Sequence, residues 1–330
     1  MLAVGPNGAG KTNLLESLHV AAQGFSPRTR SDPQLIRFGE QGARIEVGGE
    51  HAGAALALEV ILRLGDAKRA RLNGAPLRAA EELRSRLPVL VFTPDRLAVV
   101  KAGPAVRRAY FDRSLGRLAP SRSRLPAEYA AALAQRNGAL RRIAAGHSPR
   151  EALEPWTERV AELGTRLVSA RLELVELLSP SYAGIAEDLR LGAGALRYEG
   201  EPPSREALER RVEQDLARGS TGLGPHLHDI AVWAGGRDLR SYGSQGEQRL
   251  AVLSLLFAEA ELLVERGHGA PLLLLDDVLS ELDPERRTTL AARLRGFGTQ
   301  ALLTATTASA LPSAPDELVE VRPGEARRAA

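Results

Sequence analysis

Residues 2–12 read Leu2-Ala3-Val4-Gly5-Pro6-Asn7-Gly8-Ala9-Gly10-Lys11-Thr12. Three apolar residues make a strand stub, and Gly5 to Thr12 fits the spacing Gly-x4-Gly-Lys-Thr. Leu14, Leu15, Leu18 and Ala22 then fall on one side of a helix. Strand, glycine loop and helix in that order are the setting a phosphate-binding loop needs. The glycines allow a tight turn that points successive amide N–H groups at phosphate oxygens. The positive end of the following helix adds to the same field. Gly5, Pro6, Asn7, Gly8, Ala9 and Gly10 are therefore expected to line a nucleotide's phosphates. Lys11 would reach the β- and γ-phosphates, and the Thr12 hydroxyl would hold Mg²⁺.

Far down the chain, Leu272-Leu273-Leu274-Leu275 runs into Asp276-Asp277. Four consecutive leucines predict a buried parallel strand, and ligands of open α/β sheets sit at such strand ends. Asp276 is expected to bind Mg²⁺ together with Thr12. Asp277 is placed to orient or deprotonate an attacking water, which makes Asp277 and Lys11 the catalytic candidates. Just upstream, Ser244-Gln245-Gly246-Glu247 predicts a capped helix start, an anion-ready terminus.

The remaining sequence frames these motifs. The chain has 330 residues, 44% hydrophobic and 26% charged, which suits a folded protein of two domains, or of one with an insertion. It holds no cysteine, which excludes disulfides, thiolate zinc sites and a cysteine nucleophile. No run of 18 apolar residues spans a membrane and no signal peptide is read, so a cytoplasmic protein is expected. Short apolar runs at 44–47, 54–62, 68–72 and 88–92 predict strands, with Asn73-Gly74 as a hairpin turn. Residues 93–104 read as a loop, and helices dominate from 105 to 191. There, Leu153, Trp156, Val160, Leu163, Leu167, Ala170, Leu174 and Leu177 step alternately by 3 and 4. That heptad seam predicts a short antiparallel arm with the preceding helix, split from it by Gly146-His147-Ser148-Pro149. Strands are expected at 228–233, 238–242 and 300–306, helices at 247–265 and 284–294, and a frayed tail after Pro323. The charge is uneven: residues 95–150 carry twelve Lys+Arg against three Asp+Glu, in a chain of net charge +3. Such a segment suggests an anionic partner, most plausibly nucleic acid.

Together these pieces resemble an ABC-type ATPase head: Gly5–Thr12 its Walker A loop, Ser244–Gln248 its signature motif, Leu272–Asp277 its Walker B strand and Ser280–Asp283 its D-loop. Within that class the chain resembles the RecF family of DNA replication and repair ATPases. The likeness is carried by Thr12-Asn13-Leu14-Leu15-Glu16, Leu35-Ile36-Arg37-Phe38-Gly39 and Val91-Phe92-Thr93-Pro94-Asp95. Gly103-Pro104 with Arg107-Arg108, Gln135-Arg136-Asn137, Gly243–Arg249 and Leu273–Asp283 extend it to nearly the whole chain. The resemblance implies an α/β head with a helical lobe: an N-terminal ATPase part at 1–104, the lobe with its arm at 105–220, and a C-terminal ATPase part at 221–330. It also implies ATP and Mg²⁺ as cofactors and an ATP-dependent homodimer. In that dimer Ser244, Gly246 and Asp283 would touch the partner's nucleotide. Single- and double-stranded DNA would be clamped and then released by slow hydrolysis. RecR and RecO are the implied partners in recombinase loading at single-strand gaps and in the SOS response.

Two departures stand out. The family places one or more strands ahead of the Walker A strand, whereas four residues precede Gly5 here; a misassigned start or a fragment is expected. The family stretch Gly-Pro-His-Arg-Asp-Asp reads Gly224-Pro225-His226-Leu227-His228-Asp229. His226 and His228 lack a third ligand in view, so no metal is assigned to them. The rival readings are a transport ATPase subunit and an interaction module with a degenerate nucleotide site. Against the first, 233 positions separate Lys11 from Ser244 and a long helical insertion fills them. Against the second, Lys11, Thr12, Asp276 and Asp277 are intact.

Overall fold

A computed structural model describes residues 1–51, 53–85 and 87–329. The chain begins with β1 (Leu2–Val4) and α1 (Lys11–Gln23), followed by β2 (Gly42–His51), β3 (Ala54–Arg63), β4 (Arg69–Leu72), β5 (Ala75–Pro76) and β6 (Val89–Phe92). Next come α2 (Ala98–Lys101), α3 (Pro104–Leu118), α4 (Leu125–Ala144) and α5 (Glu154–Asp188). After these lie β7 (Gly194–Glu199), α6 (Arg205–Arg210), α7 (Val212–Arg218), β8 (Asp229–Ala234), β9 (Arg237–Asp238), α8 (Leu239–Tyr242) and α9 (Gln245–Glu265). The chain closes with β10 (Leu272–Leu275), α10 (Pro284–Gly296), β11 (Ala301–Ala305), β12 (Leu318–Arg322) and β13 (Glu325–Arg328).

Two compact units result, one of residues 1–96 with 260–330, the other of 97–259. The boundary expected at 104/105 thus falls at 96/97, and residues 221–259 group with the helices and not with the ATPase part. Among the described residues, no helix is long and apolar enough to cross a membrane.

The first unit holds a six-stranded sheet in the order β13-β12-β1-β11-β10-β6. Every pairing in it is parallel except β12 with β13. The leucines of β10 lie between β6 and β11, and Leu273, Leu274 and Leu275 are fully buried. Burying each such side chain stabilises the fold by about 1.5–3 kcal/mol. A second, antiparallel sheet runs β2-β3-β4-β5. Asn73 (φ 49°) and Gly74 (φ 81°) form the two-residue turn that joins Leu72 to Ala75. Both central residues in the left-handed region match the twist of a tight hairpin. Leu15 and Val20 of α1 share one core with Leu58, Val60 and Leu62 of β3 and with Val91, Leu274 and Leu302 of the parallel sheet.

In the second unit, β7, β8 and β9 make a small antiparallel sheet beside the helices. α4 and α5 pack on each other as expected, but the buried face of α5 is wider than a heptad seam. Val168, Arg171 and Val175 are buried off the seam, while the seam residues Trp156 and Leu177 are only half-buried. The reason is that α5 also packs on β7, α3 and α6, so more than one flank needs apolar cover. It is a core helix of its unit rather than half of a free arm.

Three further expectations change. Residues 93–104 contain a 3₁₀ turn (Pro94–Leu97) and α2. Residues 239–242 are helical, because the Asp238 carboxylate accepts the Arg240 N–H and starts a turn where a strand was expected. The tail is ordered as β13, and β12 extends the parallel sheet beyond the expected last strand.

Candidate nucleotide-binding site

β1 lies between β11 and β12 and delivers the chain to Gly5 in mid-sheet. At Gly5 a Cβ would lie 2.3 Å from the Val321 carbonyl oxygen, so only glycine lets the loop rise against β12. Gly8 (φ 80°) and Gly10 (φ 105°) take left-handed turns, and Gly10 opens α1. The Lys11 ammonium spans the loop, donating to the Gly5 oxygen at 2.7 Å and the Pro6 oxygen at 3.0 Å.

The acidic strand end meets this loop within the same unit. Thr12 Oγ1 donates to Asp276 Oδ2 at 3.0 Å, closing a contact across 264 residues of sequence. The Asp276 backbone N–H extends the β6 pairing to the Phe92 oxygen, and its side chain is buried. Asp277 adopts a left-handed backbone (φ 49°), a conformation that aspartate tolerates better than most residues. Its carboxylate accepts a hydrogen bond from Ser280 Oγ at 3.0 Å. Asp283 caps α10, its carboxylate accepting the Arg286 N–H at 2.9 Å.

Sequence reasoning missed one participant. Thr304 of β11 donates its hydroxyl to Asp276 Oδ1 at 2.7 Å and accepts the Asp277 N–H at 2.9 Å. Its signal in the sequence is a lone polar residue inside the buried run Ala301-Leu302-Leu303-Thr304-Ala305.

Ser244 and Gly246 belong to the other unit, where they are exposed at the start of α9. Ser244 and Glu247 bond reciprocally: Ser244 N–H to Glu247 Oε2 at 2.8 Å, Glu247 N–H to Ser244 Oγ at 3.2 Å. This capping box fixes the helix start. Gln248 anchors the turn by donating to the Leu239 and Gly243 oxygens.

The ring nitrogens of the histidine pair have other tasks. His226 lies 2.8 Å from the Tyr129 hydroxyl through Nδ1 and 3.0 Å from the Thr221 oxygen through Nε2. His228 Nδ1 lies 2.8 Å from the Tyr198 hydroxyl. Burial, and then the Arg171 charge, push His228 down to about 4, so it is neutral near pH 7. Burial likewise lowers His226. At Asp229 burial is outweighed by the hydrogen bonds and charge of Arg107, which hold its carboxyl below the usual range.

The donor set of the first unit suits a magnesium nucleotide. A hydroxyl and a buried carboxylate 3.0 Å apart are the hard oxygen ligands that Mg²⁺ takes from protein, leaving positions for phosphate and water. A lysine over a loop with two left-handed glycines suits the phosphates themselves.

A glycine loop on a mid-sheet strand, its threonine bonded to the acid of a parallel neighbour-but-one, defines a P-loop NTPase domain with one strand between its two motif strands. Residues 1–329 match the model of the RecF/RecN/SMC N terminal domain. The chain is 38% identical over 327 residues to a DNA replication and repair protein RecF of Myxococcus xanthus, covering 93% of this chain and 85% of that one. It is 35% identical over 316 residues to that of Heliobacterium modesticaldum, covering 92% and 85%. A solved structure of the recombination mediator protein RecF with ATP, from the RecFOR pathway, superposes with a TM-score of 0.86 at 28% identity. That match covers all of this chain and 91% of that one. The chain belongs to the RecF family. Membership disposes of the transport-subunit reading.

Proposed function

We propose that this chain is a cytoplasmic ATP-dependent DNA-binding protein of recombinational repair and replication. The observation that carries the reading is the Thr12–Asp276 contact beneath the Lys11 loop, which joins the two halves of a nucleotide site. When bound, MgATP supplies the phosphoanhydride bond that is cleaved and the charge that draws two subunits together.

In this reading Lys11 exchanges its two carbonyl partners for phosphate oxygens. Thr12 and Asp276 hold the metal, and Asp277 orients the attacking water. The exposed Ser244 and Gly246 face the nucleotide of a second copy, and Asp283 lies near that interface while capping its own helix. Dimerisation gathers arginines into a cleft for single- or double-stranded DNA, and slow hydrolysis opens it. The relatives' name and the RecFOR pathway of the solved structure support RecR and RecO as partners, with recombinase loading at gaps and the SOS response as the setting.

The test is DNA binding by fluorescence anisotropy with ATP and with ADP. Tight binding with ATP alone is expected. Equal affinity with the two nucleotides would refute the clamp.

A further inference from the structure

We infer that Thr304 is a positioning residue of the ATPase site, setting both the metal-binding carboxylate and the backbone of the neighbouring aspartate. The inference rests on the nucleotide-site reading above. Three observations carry it. Thr304 stands on β11, between the strand that feeds the glycine loop and the strand that ends in the acid pair: it pairs in register with Ala3 of β1, and Leu303 pairs with Leu275 of β10. Its side chain is 1% exposed, so its hydroxyl has no water to fall back on. That hydroxyl has one proton and spends it on Asp276 Oδ1, while its lone pair takes the Asp277 N–H.

The consequence is a chain of bonds running Asp277 N–H, Thr304 Oγ1, Asp276. Thr12 Oγ1 donates to the same carboxylate, at 3.0 Å to Oδ2 and 3.2 Å to Oδ1. Asp276 is thus held by two hydroxyls from separate elements, which leaves the carboxylate little freedom to rotate. Asp277 leaves the strand with φ at 49°, and the Thr304 bond to its N–H holds it in that turn. Such a backbone persists only where surrounding contacts over-determine it. Threonine serves both bonds with one atom. Valine would keep the shape and lose both.

The experiment uses the full chain with Thr304→Val and Thr304→Ser. Binding of a fluorescent ATP analogue is titrated with Mg²⁺, and steady-state phosphate release separates kcat from KM. Thermal unfolding without nucleotide checks folding, and Thr304→Ala replaces the valine variant if that fails to fold. For the valine variant, the Mg²⁺ needed for half-maximal binding should rise and kcat should fall, each about ten- to a hundredfold, the scale of a lost hydrogen bond to a charged group. Nucleotide binding without Mg²⁺ should not change, and the serine variant should match the parent. A valine variant with the parent's Mg²⁺ dependence and kcat would overturn the inference. So would a serine variant as impaired as valine, since the methyl group and not the hydroxyl would then matter. If the parent itself fails to bind nucleotide, or if Lys11→Ala binds as well as the parent, the site reading falls and this inference with it.

Discussion

Lys11 spans its own loop by two hydrogen bonds to main-chain oxygens. It therefore shapes the loop as well as supplying charge. Lys11→Ala removes both, and the expected result is loss of nucleotide-dependent dimers, measured by light scattering with ATP. Dimers forming normally in that variant would contradict the assignment. Ser244 behaves differently, because its bonds are local to the start of α9 and its surface is open. Ser244→Arg should leave ATP binding by the monomer intact and stop dimerisation by bulk and charge. Loss of ATP binding by the isolated monomer would count against a role toward a second subunit. The phosphate loop and the acid pair were legible from sequence because their spacing is local. Thr304 was not, because its task arises only when β11 is laid beside β10 and a side chain 28 positions from Asp276 comes within 2.7 Å of it.

At the level of elements, the stretch from Thr221 to Asp229 is a strap clamped by arginines of three helices. Arg136 of α4 donates to Thr221 Oγ1, Arg171 of α5 to the Pro225 oxygen, and Arg107 of α3 grips Asp229 with two bonds. Two of the motifs that carry the family resemblance, Gly103-Pro104 with Arg107-Arg108 and Gln135-Arg136-Asn137, thus meet in the second unit the stretch that departs from it. Where the family has arginine and aspartate, Leu227 is 55% exposed and His228 pairs with Tyr198. The strap has a pH signature. His228 has a folded pKa near 4 against about 6.5 unfolded, so the unfolded chain binds more protons between those values. Stability should therefore climb from pH 4 to pH 6.5 and then level off, with His226 acting in the same direction. Melting temperatures across that range test this, and His228→Asn should flatten the slope. A slope unchanged by that substitution would place the titration elsewhere. Period and turn chemistry made most helices and strands legible. The breadth of the buried face of α5 was not, since a heptad count cannot tell one neighbouring flank from two.

Taken over the whole molecule, the basic segment from 95 to 150 carries less free charge than its composition implies. At least five of its twelve cations pair with carboxylates outside the segment: Arg107 with Asp229, Arg117 with Glu259, Arg122 with Glu173, Arg136 with Asp215 and Arg150 with Glu213. A linear sum cannot register partners that lie 51 to 142 positions away, and this is why the segment's charge looks larger than the surface it presents. Arg136 and Asp215 are wholly buried, so removing one partner strands a charge and costs about 3–5 kcal/mol of stability. Lys101, Arg124 and Arg142 are exposed, as are Arg113 and Arg141, and such members of the segment are open to an anionic polymer. The two groups should separate in one measurement. Neutralising Lys101, Arg124 and Arg142 together should leave folding intact and weaken DNA binding equally across sequences. It should also flatten the plot of log affinity against log salt by about 0.9 per lost duplex phosphate contact, or about 0.7 on single strands. Arg136→Leu should instead lower the melting temperature without changing that slope. A triple variant that keeps the parent's slope would mean that DNA does not touch these three side chains, and the phosphate contacts would then have to come from other arginines of the chain.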